Sequence, residues 1–195
     1  MADTEIMEQR PKKAVDPKAK KKQENFLLIL IVIIIAGGIF ILYRNGVIGG
    51  SAAKAPIENY LTAICERDFD AFVATMPEKI ANDHISDRAE LGLSGEEYMR
   101  DLYSDYFEEF GDDMRVTVDF GGRSRPQAMY VDSFKQSYLD LYGEEIRISS
   151  VLEIDATAHF YGSKSQADIE LEFFVVKTGG KWYVVGVDYK VEDEL

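Results

Sequence analysis

The run VLEIDATAHFYGSKSQADIELEFFVVKTGGKWYVVGVDYKV, Val151 to Val191, decides the fold. Its apolar residues recur at every second position and its only tight breaks are glycine or serine rich, the pattern of antiparallel strands with one face buried. Ile146, Ile148, Leu152, Ile154, Ala156, Ala158 and Phe160 share one face of a first strand, Ile146 to Tyr161. Strands over Ala167 to Lys177 and Lys181 to Val191 follow, joined by Gly179-Gly180, a two-residue hairpin signal.

Register follows from the turns. With Thr178 facing Lys181 and Tyr161 facing Gln166, Ile154, Phe173 and Gly186 fall in one row, and Ala156, Leu171 and Asp188 in the next. Shifting the first loop by one residue would put Ile154 and Phe173 on opposite faces, so burial selects this pairing. The other face then sets His159 opposite Asp168, Thr157 beside Glu170 and Tyr189, and Asp155 beside Glu172 and Val187.

Upstream the period changes to that of helices. Ile57, Tyr60, Leu61, Ile64 and Cys65, then Phe69, Phe72, Val73 and Met76, predict two helices or one kinked helix. Asp68 caps the second part and Pro77 closes it. Glu78 to Ser86 adds a short helical turn, with His84 in a loop as an ordinary surface residue. Ser94-Gly95-Glu96-Glu97 is a capping box that opens a helix through Met99, Leu102, Tyr103, Tyr106, Phe107 and Phe110, ended by Gly111. This aromatic stripe reads as core-facing. Met114 to Phe120 alternates as a short strand, and Gln127 to Tyr142 returns to helical spacing before Gly143. The fold class expected is α+β, with helices packed on a curved, cone-like antiparallel sheet, preceded by one transmembrane helix.

That helix is Phe26 to Tyr43, FLLILIVIIIAGGIFILY, eighteen residues without a charge and about 27 Å long as a helix. Seven basic residues against one acidic lie between Arg10 and Lys22, so the positive-inside bias puts residues 1–25 in the cytoplasm and the rest outside. A cleaved signal peptide, processed in SAAKA at Ser51 to Ala55, is the alternative. Residues 44–56, which include NGVIGGSAAKAP, read as a flexible linker, and 57–195 as one extracytoplasmic domain. The expected partners are the lipid bilayer through Phe26 to Tyr43 and an envelope protein or a second copy of the chain. Of 22 basic and 35 acidic residues, the tail to Asn25 holds seven and five, leaving the remainder near -15. This field disfavours nucleic acid and keeps the domain from lying on anionic lipid. The single cysteine, Cys65, excludes an intramolecular disulfide and reads as a buried small hydrophobe.

For chemistry, the sequence offers one constellation: His159 with Asp155, Asp168, Glu170 and Glu172, joined by Glu153. A carboxylate beside an imidazole can orient a general base, and several carboxylates can hold a hard cation. The preferred reading is a solvated acidic strand face. No catalytic residue, cofactor or metal is expected, because no His-Glu-x-x-His, Gly-x-Ser-x-Gly, P-loop or Gly-x-Gly-x-x-Gly pattern occurs.

PIENYLTAICERDFDAFVATMPEKI, Pro56 to Ile80, and the closing VVKTGGKWYVVGVD resemble the two ends of a nuclear-transport-factor-2-like domain. The resemblance covers about Ala55 to Val191 and implies helices over a cone-shaped sheet. Enzymes of that superfamily, such as ketosteroid isomerase and scytalone dehydratase, place Asp, His or Tyr in the cone; no residue here matches their catalytic sets one by one. Assembly proteins of type IV secretion and conjugation systems join a short cytoplasmic tail, one crossing and this fold. The resemblance therefore implies a non-enzymatic envelope binding or scaffolding domain, with a small-molecule binder or an isomerase or dehydratase as the alternative.

Overall fold

The computed structural model describes residues 50–190, so the basic tail 1–25 and the apolar run Phe26 to Tyr43 lie outside the described residues. Among the described residues no helix is long and apolar enough to cross a membrane. The chain folds as α+β, with helices packed against a four-stranded antiparallel sheet. Five helices come first: α1 (Gly50–Glu66), α2 (Phe69–Ala74), α3 (Glu78–Leu91), α4 (Gly95–Leu102) and α5 (Ser104–Phe110). Then β1 (Arg115–Ser124), α6 (Ala128–Tyr142), β2 (Ser150–Tyr161), β3 (Gln166–Thr178) and β4 (Lys181–Tyr189) complete it. The sheet order is the chain order, β1-β2-β3-β4.

Helix α1 starts earlier than its composition suggests. Residues 50–56 are its first turns, not part of a flexible linker, and Pro56 sits inside it. One small alanine explains this: Ala53 is fully buried ahead of Ile57, Leu61 and Ile64, and extends their stripe back by one turn. The SAAKA segment therefore lies within a helix. At the other end Asp68 N–H donates to Ala63 O and Arg67 N–H to Ile64 O, with Arg67 in the left-handed region at φ 55. Asp68 then caps α2, its carboxylate accepting from Ala71 N–H at 2.9 Å. The expected helix break is present at that position.

Two helical expectations need correction. The expected turn Glu78 to Ser86 is a fourteen-residue helix ending at Gly92 in the left-handed region. Only Ala81 is buried in it, so its apolar period is too weak to announce its length. The single helix expected after the capping box is two, because the backbone turns at Tyr103 (φ -119, ψ 32). That turn leaves Leu102 45% exposed and swings Tyr103 inward. The capping box itself is complete, with Glu97 N–H donating to Ser94 Oγ and Ser94 N–H to the Glu97 carboxylate.

In the sheet, Tyr161 faces Gln166, Ile154 faces Phe173, Ala156 faces Leu171 and His159 faces Asp168, as the turns require. Ile154, Ala156, Ala158, Phe160, Leu171 and Phe173 are all buried beneath α1, α2, α4 and α5. The β3-β4 pairing starts as expected with Thr178 opposite Lys181, then slips by one residue between Phe174 and Val175. Phe173 therefore faces Val187, not Gly186, and Leu171 faces Tyr189, not Asp188. The extra residue is Val185, a β-bulge. It turns Asp188 out of the core row to face Glu172, and turns Val187 and Tyr189 inward. A second irregularity, at Gly121-Gly122 in β1, admits Asp155, whose carboxylate would lie 2.9 Å from any Cβ at Gly122.

The outer sheet face is not solvated throughout. Helix α6 packs on its hairpin end, with the Phe134 and Phe174 ring centroids 6.0 Å apart and Tyr138 and Val176 both buried. Core loss should exceed cap loss here. Phe173→Ala, at a fully buried position under Tyr60, should cost about 3–5 kcal/mol. Asp68→Ala should cost about 1 kcal/mol. Denaturant unfolding of the full chain checks both, and equal small costs would contradict the core described.

Candidate functional site

The outer face of β1, β2 and β3 carries the constellation expected from sequence. His159 Nδ1 lies 2.7 Å from Asp168 Oδ1, across the β2-β3 pair. Its Nε2 lies 3.3 Å from Asp119 Oδ2, a β1 residue that the sequence reading missed because β1 was not placed in register. The imidazole thus bridges two carboxylates and its side chain is 21% exposed. Hydrogen bonding to Asp168 raises its pKa above the ordinary value against a smaller opposing effect of desolvation, with Asp119 adding to the rise.

The other members do not converge on the imidazole. Asp155 pairs with Lys190 at 2.8 Å, and Glu153 accepts from Ser124 Oγ at 2.8 Å. Glu172 has its pKa raised, first by desolvation and then by Glu153 and Asp155. Glu170 contributes its backbone carbonyl to Lys190 N–H, while its side chain is exposed. Among the described residues no three His, Cys, Asp or Glu side chains are grouped to hold a metal ion. This face combines ion pairs, at His159 and at Asp155, with carboxylates such as Glu172 that form none among the described residues.

His84 departs from the expectation of an ordinary surface residue in a loop. It stands on α3 with its ring 5.3 Å from that of Phe72 and its Nδ1 2.9 Å from Tyr98 Oη. Burial lowers its pKa, with Asp87 and Asp83 opposing. Cys65 is buried, and desolvation lifts its thiol to about 12, which leaves it an inert core residue.

The more developed site lies on the inner face, between helices and sheet. A cavity of about 290 Å³ opens among α1, α4, α5 and the far ends of β2, β3 and β4. Leu61, Ile64, Phe160 and Leu171 supply its apolar wall. Its polar groups are tyrosine hydroxyls: Tyr60 and Tyr103 lie 2.8 Å apart, and Tyr106 and Tyr189 2.7 Å apart. In each pair one O–H is spent on the partner, which leaves one O–H donor free for a guest in the cavity. Burial raises the pKa of Tyr60, Tyr103 and Tyr106, so these phenols stay protonated at neutral pH. The one carboxylate on the lining, Asp105, belongs to an exposed residue. The cavity therefore supplies hydrogen-bond donors in an apolar wall and no buried acid-base pair.

In the sequence Tyr60, Tyr103 and Tyr106 sit in apolar stripes that point to no site, and an unbroken last strand puts Tyr189 on the outer face. The available signal was chemical. A half-buried phenol needs a hydrogen-bond partner where phenylalanine would not, and these stripes hold tyrosine. No known family model matches the chain, and no curated protein matches it.

The two histidines should titrate apart, His84 below about 6.5 and His159 above it. His159, raised in the folded state, contributes stability that is complete below the unfolded pKa and lost as pH rises through its folded value. His84, lowered, contributes stability that is complete above the unfolded pKa and lost as pH falls through its folded value. His159→Ala should therefore remove a gain in stability on acidification from its raised folded value down to the unfolded pKa, and His84→Ala should lessen the loss on acidification from the unfolded pKa down to its lowered folded value. Ring-proton chemical shifts and unfolding at several pH values check this; a single shared midpoint would contradict it.

Proposed function

We propose that this is a single-pass membrane protein, N-terminus cytoplasmic, whose extracytoplasmic domain is a non-catalytic binding module. The crossing is the apolar run Phe26 to Tyr43, oriented by the charges from Arg10 to Lys22. Retention of the anchor is favoured by SAAKA lying in a helix with Ala53 fully buried, a poor substrate for processing. Helices packed against an antiparallel sheet support the resemblance to nuclear-transport-factor-2-like domains at the level of an α+β fold.

The observation that carries the binding role is the cavity's lining. Apolar walls with two free phenol donors and no titrating group near neutrality suit a small, mainly apolar guest bearing an acceptor oxygen. They do not suit general acid-base catalysis, which needs a group whose pKa lies near the working pH. A second reading, scaffolding through an envelope protein or a second copy, rests on α6, where Met129 is 63%, Tyr130 53% and Leu141 75% exposed.

Val187 lines the cavity yet is 37% exposed, so Val187→Phe should narrow it without unfolding the domain. Native mass spectrometry of the full chain, released from detergent, should show a bound small molecule lost in this variant. A chain that carries no small molecule, yet crosslinks through α6 to a protein partner, would replace the first reading with scaffolding. A reporter after Leu195 should be active only outside the cytoplasm, and cytoplasmic activity would overturn the topology.

A further inference from the structure

The domain's charge is not spread evenly, although its sum is strongly acidic. Helix α1 runs about 25 Å from Gly50 to Glu66, and the acidic groups held by ion pairs to Arg67 cluster at its far end: Glu96 at 3.3 Å and Asp112 at 3.4 Å. The near end is different. Lys54, in the first turns of α1, lies over the Phe120 ring at 4.6 Å. Ala52 and Ala55 share with Gly180, Lys181 and Trp182 of the β3-β4 hairpin a groove that runs on along α1 to Glu66. Lys177 faces Trp182 across that hairpin, its ammonium 6.0 Å from the ring. Among the described residues none of these three lysines forms an ion pair, although Glu58 lies one turn along α1.

Covalent geometry says what this end can meet. Six residues separate Tyr43, the end of the apolar run, from Gly50, so even fully extended they hold Gly50 within about 25 Å of that run. Strand β3, thirteen residues long, places the opposite end of the sheet about 40 Å from the hairpin tip. Tryptophan with lysines around it is the composition of a headgroup contact: an amphipathic ring at the interface and cations toward lipid phosphate.

From this juxtaposition we infer that Lys54, Lys177, Lys181 and Trp182 form a docking face for an anionic lipid surface. The acidic end then points away from the bilayer. The whole-domain charge repels such a surface on average, but the field at short range is set by the nearest charges, within a Debye length of about 8 Å. Docking would hold the domain upright and leave the cavity, at the far ends of the strands, open to the aqueous side. This inference rests on the crossing by Phe26 to Tyr43.

Trp182 is the only tryptophan of the chain, which makes the test direct. The full chain is reconstituted in phosphatidylcholine vesicles with and without phosphatidylglycerol, using lipids brominated near the headgroup. Quenching of Trp182 should be strong with phosphatidylglycerol, weak without it, and reversed by high salt. The Lys54→Gln, Lys177→Gln, Lys181→Gln variant should lose it, since each lysine near the surface changes the docking equilibrium roughly fivefold. Absence of quenching in a chain that still resists carbonate extraction, or quenching indifferent to lipid charge and salt, would overturn the docking face and leave the crossing intact. A chain extracted by carbonate would instead overturn the crossing, and the docking face with it.

Discussion

One extra residue in the last strand, Val185, sets what the inner face of the sheet presents to the helices. Without the bulge the strict two-residue period would carry Asp188 into the row of Ala156 and Leu171, where its carboxylate would face the apolar side of the sheet. With it, Asp188 faces Glu172 on the outer side, and Val187 and Tyr189 take the inner positions opposite Phe173 and Leu171. The hairpin at Gly179-Gly180 enforces one register near the turn, burial enforces another beyond it, and the bulge reconciles the two.

The consequence is a pair of faces with different chemistry. Outside, charges are neutralised locally: His159 between Asp119 and Asp168, Lys190 on Asp155. Pairs this exposed contribute little to stability, and they leave Glu172 among the like charges of Glu153, Asp155 and Asp188. Inside, Tyr189 completes a second hydroxyl pair with Tyr106, parallel to that of Tyr60 and Tyr103. These phenols are retained in a wall that could otherwise be fully apolar. Each costs desolvation and is compensated by its partner, which leaves a directional donor at a cavity edge.

Much of this was legible in the sequence, for reasons that can be named. The β2-β3 register was readable because two buried rows admit only one pairing, and the Asp68 and Ser94 caps because their side chains act within three residues. Residues 50–56 were misread because Ser, Gly and Ala are equally at home in a linker, and only tertiary burial of Ala53 makes them helix. Asp119 was missed because β1 is joined to β2 through α6, with no tight turn to fix its register. The inward turn of Tyr189 was invisible for a similar reason: a bulge is a compromise between non-local contacts, and a strand's own alternation does not announce it. The break at Tyr103, which brings it to Tyr60, is likewise a matter of what lies across the core.

The bulge is therefore the claim on which the Tyr106-Tyr189 pair and the place of Val187 on the cavity wall depend, and it can be read by nuclear Overhauser contacts in the full chain in detergent micelles, with tyrosine rings and leucine and threonine methyls labelled. The structure requires the Tyr189 ring to contact the Leu171 methyls, since the two residues face each other on the inner side. Contacts from Tyr189 to the Thr157 methyl, on the outer face, would show an unbroken strand and contradict the account.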